Sequence, residues 1–300
     1  MNIEELQTKL ISSGLGKYFE RFRPIIRNSI RLQQIESDEK DIKIGQSKIG
    51  GKPDLPDNFL WVTETNLVET IEIKYLIFKN KKTEEITKPL SFIAQINLSE
   101  TNEFDKENLL PKNGMLYFFY SSDQEVWGFD YKDKNKFKVI FWDGDFTMLK
   151  RTEIPINLPR HAVFKSDSIN FKSEVSLPSY GNELYNDFED EEEEIFLDEI
   201  FNEETVTKML GYSDNIQDEM ELECELVTNG IYCGDPSGYN NPKAKELEPS
   251  AKDWRLLLQI DSSDETEMMW GDCGRLYFWI KKDDLKDKNF DKCWFSLQCS

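Results

Sequence analysis

The chain has one histidine, His161, and five cysteines among its 300 residues. This scarcity argues against catalytic sites that need several imidazole or thiolate groups. A Cys-His pair would require His161 to meet a distant cysteine such as Cys273, and no spacing in the sequence favours that meeting. The chain also lacks a G-x-S-x-G elbow, a phosphate-binding P-loop and a C-x-x-C pair. We therefore expect no catalytic residue, no metal site and no cofactor.

Long apolar runs are missing as well. No stretch of about eighteen apolar residues occurs, which argues against a membrane span. The first residues lack the basic and apolar regions of a secretory signal. The cysteines are odd in number and irregularly spaced, which is typical of reduced thiols rather than a disulfide framework. These features predict a cytoplasmic protein without a membrane partner.

Positive charge is scarce relative to negative charge. The chain has 37 Lys and Arg against 58 Asp and Glu, a net charge of −21. Affinity for nucleic acid and for acidic lipid comes mostly from Lys and Arg, so neither partner is expected. A macromolecular partner should instead be a basic protein, because complementary fields speed association. An acidic surface that serves only solubility is the alternative.

The negative charge is concentrated in one segment. Residues 183–204 contain twelve acids and no Lys or Arg. We predict an exposed, mobile stretch over 186–194, because uncompensated carboxylates repel one another. Apolar residues at helical spacing then predict a helix over 193–210 that ends at Gly211.

The rest of the chain combines one amphipathic helix with many short strands. Apolar residues recur at helical spacing before Pro24 and predict an N-terminal helix. A Gly- and Pro-rich stretch over 45–59 predicts a loop. Apolar and aromatic runs predict strands over 71–79, 89–98, 114–121, 125–131 and 137–143.

Two stretches of the chain repeat each other. "FIAQINLSE" (92–100) precedes "GMLYFF" (114–119), and "RLLLQIDSSD" (255–264) precedes "GRLYFW" (274–279). Gln95 corresponds to Gln259, and Asn97 to Asp261, at an offset of about 160 residues. A constant offset is typical of tandem duplication.

We therefore predict an α+β, β-rich fold in which two related halves, produced by internal duplication, pack into one compact unit. The expected divisions are an N-terminal helix (1–30), a first β-rich repeat (31–155), a crossover (156–182), an acidic insertion with a helix (183–210) and a second β-rich repeat (211–300).

Five blocks carry a family resemblance: "SKIGGKPDLP", "PLSFIAQINL", "LLPKNGMLYFF", "GYSDNIQDEMELECEL" and "LLLQIDSSDETEMMWGDCGRLYFWI". Together they resemble the YwqG-like family of bacterial proteins, a domain of unknown function. The resemblance implies a cytoplasmic α+β protein of this length, and it implies no activity, cofactor or catalytic residue.

Candidate binding residues lie in and after the repeated strands. A glutamine within an apolar strand is expected to be hydrogen-bonded, either structurally or to a ligand, because an unpaired buried amide is unfavourable. We also expect Asp272 and Arg275 to pair across the turn at "WGDCG". The candidate set is Gln95, Asn97, Gln259, Asp261, Trp270, Asp272 and Arg275.

The sequence thus favours a non-catalytic binding protein with an acidic face for a basic protein partner, which could act as an immunity or inhibitor factor. The alternative is a carboxylate-based enzyme, or a binder of a small ligand at the 259–275 loop.

Overall fold

The computed structural model describes residues 1–57, 59–74, 78–179, 183–200 and 206–300. Strands in these residues are β1 (Arg27–Glu36), β2 (Lys48–Ile49), β3 (Asp54–Pro56), β4 (Thr63–Lys74), β5 (Phe78–Pro89), β6 (Ser91–Asn97), β7 (Met115–Tyr120), β8 (Phe137–Trp142), β9 (Leu149–Arg151), β10 (Asp167–Ser176), β11 (Lys208–Leu210), β12 (Trp254–Asp261), β13 (Arg275–Lys281) and β14 (Trp294–Gln298). Helices in these residues are α1 (Ile3–Ser12), α2 (Phe19–Phe22), α3 (Leu98–Thr101), α4 (Asp190–Ile200), α5 (Glu221–Thr228), α6 (Ala244–Ala251) and α7 (Lys282–Lys286).

Ten strands form one antiparallel sheet in the order β14-β13-β12-β11-β1-β10-β2-β6-β7-β8. Two further pairs, β3 with β9 and β4 with β5, form small sheets of their own. This architecture confirms the predicted α+β class, and α1 confirms the N-terminal helix. The helix begins with a capping box, in which the Asn2 side chain accepts from the backbone N–H groups of Glu4 and Glu5.

The two outer parts of the sheet approach each other and enclose the main core. Phe118 of β7 and Phe278 of β13 meet edge to face, with ring centroids 5.1 Å apart. The loop after β7 extends this contact, because the Leu297 N–H donates to the Trp127 carbonyl at 3.1 Å. β6 and β7 are buried along their whole length, as their nearly continuous apolar sequences require.

Two strand predictions are wrong. The stretch 71–79 is not one strand: β4 ends at Lys74 and β5 begins at Phe78, while residues 75–77 lie outside the described residues. The stretch 125–131 is a loop that runs beside β14. Its Gly128 has φ +90°, and a Cβ there would lie 2.0 Å from the Phe295 carbonyl oxygen. A regular strand cannot accommodate this approach.

The predicted helix over 193–210 is also wrong at both ends. α4 spans Asp190–Ile200, and Lys208–Leu210 form β11, which pairs with β1. Residues 201–205 lie outside the described residues. Short apolar runs fit a buried strand as well as a helix, which explains the error.

The acidic stretch is partly helical. Residues 190–194 form the start of α4, where negative charge is favourable at a helix N-terminus. Lys17 lies 2.6 Å from Glu192, and Arg21 lies 2.5 Å from Asp187. The stretch 186–194 is largely exposed, as predicted, and is helical from Asp190, while its mobility stays a prediction.

The region 156–182, expected to be a crossover, contains the ten-residue strand β10. β10 pairs with β1 over ten residues in the middle of the sheet. Because β1 also pairs with β11 and β10 also pairs with β2, these two strands connect the strands of the first part of the chain to those of the last part in one sheet.

A buried carboxyl group lies where α5 packs on β14. Glu223 accepts hydrogen bonds from the hydroxyls of Tyr239 at 3.1 Å and Ser296 at 3.3 Å. Burial raises the pKa of Glu223 to about 7. In the folded protein Glu223 therefore keeps its proton up to about pH 7, whereas in the unfolded chain it loses that proton near the usual glutamate pKa.

We predict that Glu223→Gln changes the pH dependence of stability. Between the usual glutamate pKa and about 7, the native state binds more protons here, so wild-type stability should fall as pH rises. The glutamine side chain does not ionise, so the stability of the variant lacks this fall. The free energy of unfolding of the variant relative to wild type should therefore rise by about 2 kcal/mol from pH 5 to pH 8. Denaturant unfolding at both pH values measures the difference.

Glu225→Gln is the matched control. Its carboxylate lies 2.6 Å from Lys281 Nζ and accepts from Trp254 Nε1, so its loss should destabilise the protein at both pH values. The prediction would be contradicted if the difference in free energy of unfolding between Glu223→Gln and wild type were the same at pH 5 and pH 8.

Candidate functional site

In the first part of the sheet, Gln95 of β6 fixes Asp54, the first residue of β3. Its Oε1 accepts from the Asp54 N–H at 2.7 Å, and its Nε2 donates to Asp54 Oδ2 at 2.7 Å and to the Gln46 carbonyl at 2.8 Å. The Tyr117 hydroxyl donates to the Asp54 carbonyl at 2.6 Å. Lys48 lies opposite Gln95 in the β2-β6 pair.

The same contacts occur around Gln259 of β12. Its Oε1 accepts from the Asp214 N–H at 2.9 Å, and its Nε2 donates to Asp214 Oδ2 at 3.1 Å and to the Val206 carbonyl at 2.7 Å. The Tyr277 hydroxyl donates to the Asp214 carbonyl at 2.8 Å. Lys208 lies opposite Gln259 in the β11-β12 pair. Each network thus places a lysine, an aspartate, a glutamine and a tyrosine together.

Positive-φ glycines turn the chain toward each aspartate. Gly51 precedes Asp54 with φ +70°, and Gly211 precedes Asp214 with φ +72°. A Cβ on Gly211 would lie 2.8 Å from the Cβ atoms of Ser29 and Ser176. Glycine is therefore required at this position both by conformation and by space.

The first network is closed. The side chains of Lys48 and Asp54 are 0% exposed. Arg151 Nε donates to Asp54 Oδ1 at 2.6 Å, and Lys48 Nζ lies 2.6 Å from Glu39 Oε1. Burial lowers the pKa of Lys48, and the charges of Asp54 and Glu39 oppose that effect. Every charge in this network has a partner from the chain itself, so we interpret it as structural.

The second network borders a cavity of about 500 Å³. Lys208 Nζ lies 2.6 Å from Asp214 Oδ2, and the two side chains are 7% and 26% exposed. Burial lowers the pKa of Lys208, while Asp214 raises it. Arg31, Glu174 and Arg275 also line the cavity. The cavity thus combines charged side chains of both signs with the apolar Leu6 and Ile200 on α1 and α4.

Ion pairs fix the charged walls of this cavity. Arg275 Nε lies 2.9 Å from Asp261 Oδ2, and Arg31 Nε lies 3.0 Å from Glu174 Oε2. Burial alone would raise the pKa of Glu174, but the hydrogen bond from Lys172 and the charge of Arg31 lower it to about 2. Glu174 is therefore ionised at neutral pH. We call the cavity and its charged walls the second-half cleft.

The structure distributes the predicted binding residues over two different places. Arg275 lines the second-half cleft, while Gln259 and Asp261 hold residues that line it. Gln95 belongs to the closed network, and Asn97 donates to the Gly45 carbonyl beside it. Whether any of them binds a ligand stays a prediction.

The remaining two candidates lie away from the cleft. Trp270 is 0% exposed between Tyr120 and Phe164, and its Nε1 has no hydrogen-bond acceptor among the described residues. Asp272 is exposed, and the predicted Asp272–Arg275 pair is wrong because Arg275 pairs with Asp261 across the β12-β13 ladder.

Sequence reasoning missed the two lysines. Lys48 and Lys208 lie 160 positions apart, in "SKIGG" and "TKMLG", at the offset that relates Gly114 to Gly274. Gln95 and Gln259 are 164 positions apart, so extending the repeat upstream with a gap of four residues would have found them. A lysine within a short apolar strand is itself a signal, because a buried ammonium needs a carboxylate partner.

The described hydrogen bonds do not join Cys273 to His161, the pair considered from the sequence. Cys273 is exposed, and His161 Nε2 lies 3.1 Å from the Ser122 carbonyl oxygen. The hydrogen bonds of the described residues do not connect this histidine to a thiol or hydroxyl. Within the described ranges, no group of three or more His, Cys, Asp or Glu side chains could hold a metal ion.

The sequence profile of a family described as Domain of unknown function (DUF1963) matches residues 47–299. The chain belongs to this family. The match is consistent with the YwqG-like resemblance, and in this DUF1963 protein it includes the lysine, aspartate, glutamine and tyrosine of both networks. Glu39 of the closed network and Arg31 of the second-half cleft lie before the matched residues. No curated protein was found to match the chain. Within the described residues, none of the helices has the length and apolar character of a membrane span.

We predict that equivalent aspartate substitutions differ in their effect on stability. Asp54→Asn removes a carboxylate that is 0% exposed from Lys48 and Arg151, so it should cost about 3 kcal/mol. Asp214→Asn should cost less, about 2 kcal/mol, because the Asp214 carboxylate is 26% exposed and pairs with one cation. Denaturant unfolding measures both values, and equal costs would contradict the assignment of one closed and one open network.

Proposed function

We propose that this DUF1963 protein is a non-catalytic binding protein and that its ligand occupies the second-half cleft. One observation carries the proposal: two networks share their hydrogen-bond pattern, yet Arg151 and Glu39 close the first while the second borders a cavity. A cavity with a few oriented polar groups on an otherwise packed scaffold is typical of a small-molecule or side-chain site. The described hydrogen bonds join His161, the one imidazole of the chain, to a backbone carbonyl and not to a thiol or hydroxyl, which favours binding over catalysis by a histidine base.

We also propose that the two halves arose by duplication. The sheet order supports this, since β11 to β14 lie on one side of the β1-β10 pair, and β2 with β6 to β8 lie on the other. Register shifts between Phe92 and Ala94, and between Leu256 and Leu258, fall at matching places. In this proposal the two halves exchange their first strands. β1, from the first half, lies beside β11 of the second half, and β10, from the second half, lies beside β2 of the first half.

A basic protein partner that docks on the acidic face is a second proposal. It is favoured by α4, where Asp190, Glu191 and Glu194 are exposed beside the paired Asp187 and Glu192. Such a partner would suit an immunity or inhibitor role in the cytoplasm, by analogy with acidic inhibitors of basic proteins. This surface lies on the outside of α4, so blocking the cleft would leave its binding intact.

The cleft proposal is tested by thermal unfolding in the presence of small charged compounds. The panel contains amino acids, dicarboxylates, polyamines and guanidino compounds. We expect at least one class to raise the Tm of the wild type by about 2–4 °C near saturation, because a ligand that binds only the native state stabilises it. Asn215→Trp, which places a large side chain in the cleft lining, should abolish the rise.

Asn102→Trp is the control for a surface tryptophan. Asn102 lies in the first half of the chain. It is half-buried, and its Nδ2 donates to the Lys112 carbonyl. It should retain the wild-type response. If no compound raises the Tm, or if both variants respond like the wild type, the cleft is not the binding site.

A further inference from the structure

We infer that the second-half cleft binds a guanidinium group, in the manner in which the first network binds Arg151. This inference rests on the proposed function and names its ligand class. Arg151 Nε donates to Asp54 Oδ1 at 2.6 Å, Nη1 to the Glu39 carbonyl at 2.6 Å and Nη2 to the Ile42 carbonyl at 2.9 Å. The first network is thus a guanidinium site that the chain fills itself.

Asp214 corresponds to Asp54, whose carboxylate binds the guanidinium of Arg151. Its backbone N–H, its carbonyl and its Oδ2 make the same contacts with glutamine and tyrosine as those of Asp54. Its Oδ1 accepts no hydrogen bond from any residue that the structure describes, and the side chain is 26% exposed at the cleft. Arg275 donates only to the Asp214 carbonyl, at 2.8 Å.

The positive charges nearby do not exclude a cationic ligand. The cations on the cleft wall are held by carboxylates: Lys208 by Asp214, Arg275 by Asp261, and both Arg31 and the N-terminal ammonium of Met1 by Glu174. The first network likewise holds Arg151 close to a buried lysine, whose pKa that arginine lowers. In the first network Glu39 is a second carboxylate that pairs with both Lys48 and Arg151, whereas in the cleft Asp214 would serve both Lys208, through Oδ2, and the guanidinium, through Oδ1.

A guanidinium suits this position better than an ammonium does. It is planar, weakly hydrated and presents donors in fixed directions, so it loses less hydration on entering a half-buried site. It can also donate to a carboxylate and to backbone carbonyls at the same time, as Arg151 does. The ligand is either free arginine or an arginine side chain of a basic protein.

Isothermal titration calorimetry with matched probes tests the inference. The probes are arginine, its neutral isostere citrulline, lysine, and an acetylated and amidated Gly-Arg-Gly peptide. We expect an arginine probe to bind at least tenfold more tightly than citrulline and lysine. Binding of the peptide would point to an arginine side chain of a protein, and binding of arginine alone would point to the free amino acid.

Asp214→Asn should weaken arginine binding at least tenfold, while Asp264→Asn, at an exposed carboxylate outside the cleft lining, should leave it unchanged. Should Asp214→Asn fail to fold, Asn215→Trp tests the same site with the carboxylate in place, and it should abolish binding. Equal binding of arginine and citrulline, equal binding of arginine and lysine, or full binding by either cleft variant would overturn the inference. If a different compound binds in the cleft, the inference fails and the proposed function stands; if nothing binds, both fail.

Discussion

A lysine ammonium removed from water must have an acceptor or a carboxylate beside it, and this requirement shapes both parts of the sheet. Lys48 lies in the two-residue strand β2 and is 0% exposed; Lys208 lies in the three-residue strand β11 and is nearly buried. Lys48 is paired with Glu39, which precedes β2, whereas Lys208 is paired with Asp214, from the loop that follows β11. The chain after β2 likewise brings Asp54 into the first network. The glutamines and tyrosines of the neighbouring strands hold these loops through hydrogen bonds to both backbone and side chain of each aspartate.

The difference between the two networks then accounts for the cleft. In the first, Arg151 and Glu39 complete the charge balance, and the Asp54 side chain is 0% exposed. In the second, Lys208 uses Asp214 itself as its partner, and the other carboxylate oxygen, Oδ1, accepts no hydrogen bond from the described residues. The same scaffold can thus support a structural core in one half and, in our proposal, a binding site in the other. Specificity would come from the few residues that differ and not from the shared hydrogen bonds.

Much of the scaffold could be predicted from the sequence, because β6, β7, β12 and β13 are long, apolar and repeated. Gln95 and Gln259 stood out for the same reason, as polar residues within those runs. The short strands β2 and β11 could not be found by periodicity, since two or three residues define no period. The partner of Arg275 was missed because Asp272 is closer in sequence, whereas Asp261 is closer across the ladder. Pairing across strands depends on register, which sequence spacing alone does not fix.

A crystal structure of the protein grown with arginine tests the central claim most directly. Superposing β11 to β13 on β2, β6 and β7 should bring the bound guanidinium onto that of Arg151, with a nitrogen within hydrogen-bond distance of Asp214 Oδ1. An arginine bound elsewhere, or a side chain of this chain occupying the cleft against Asp214, would contradict the account.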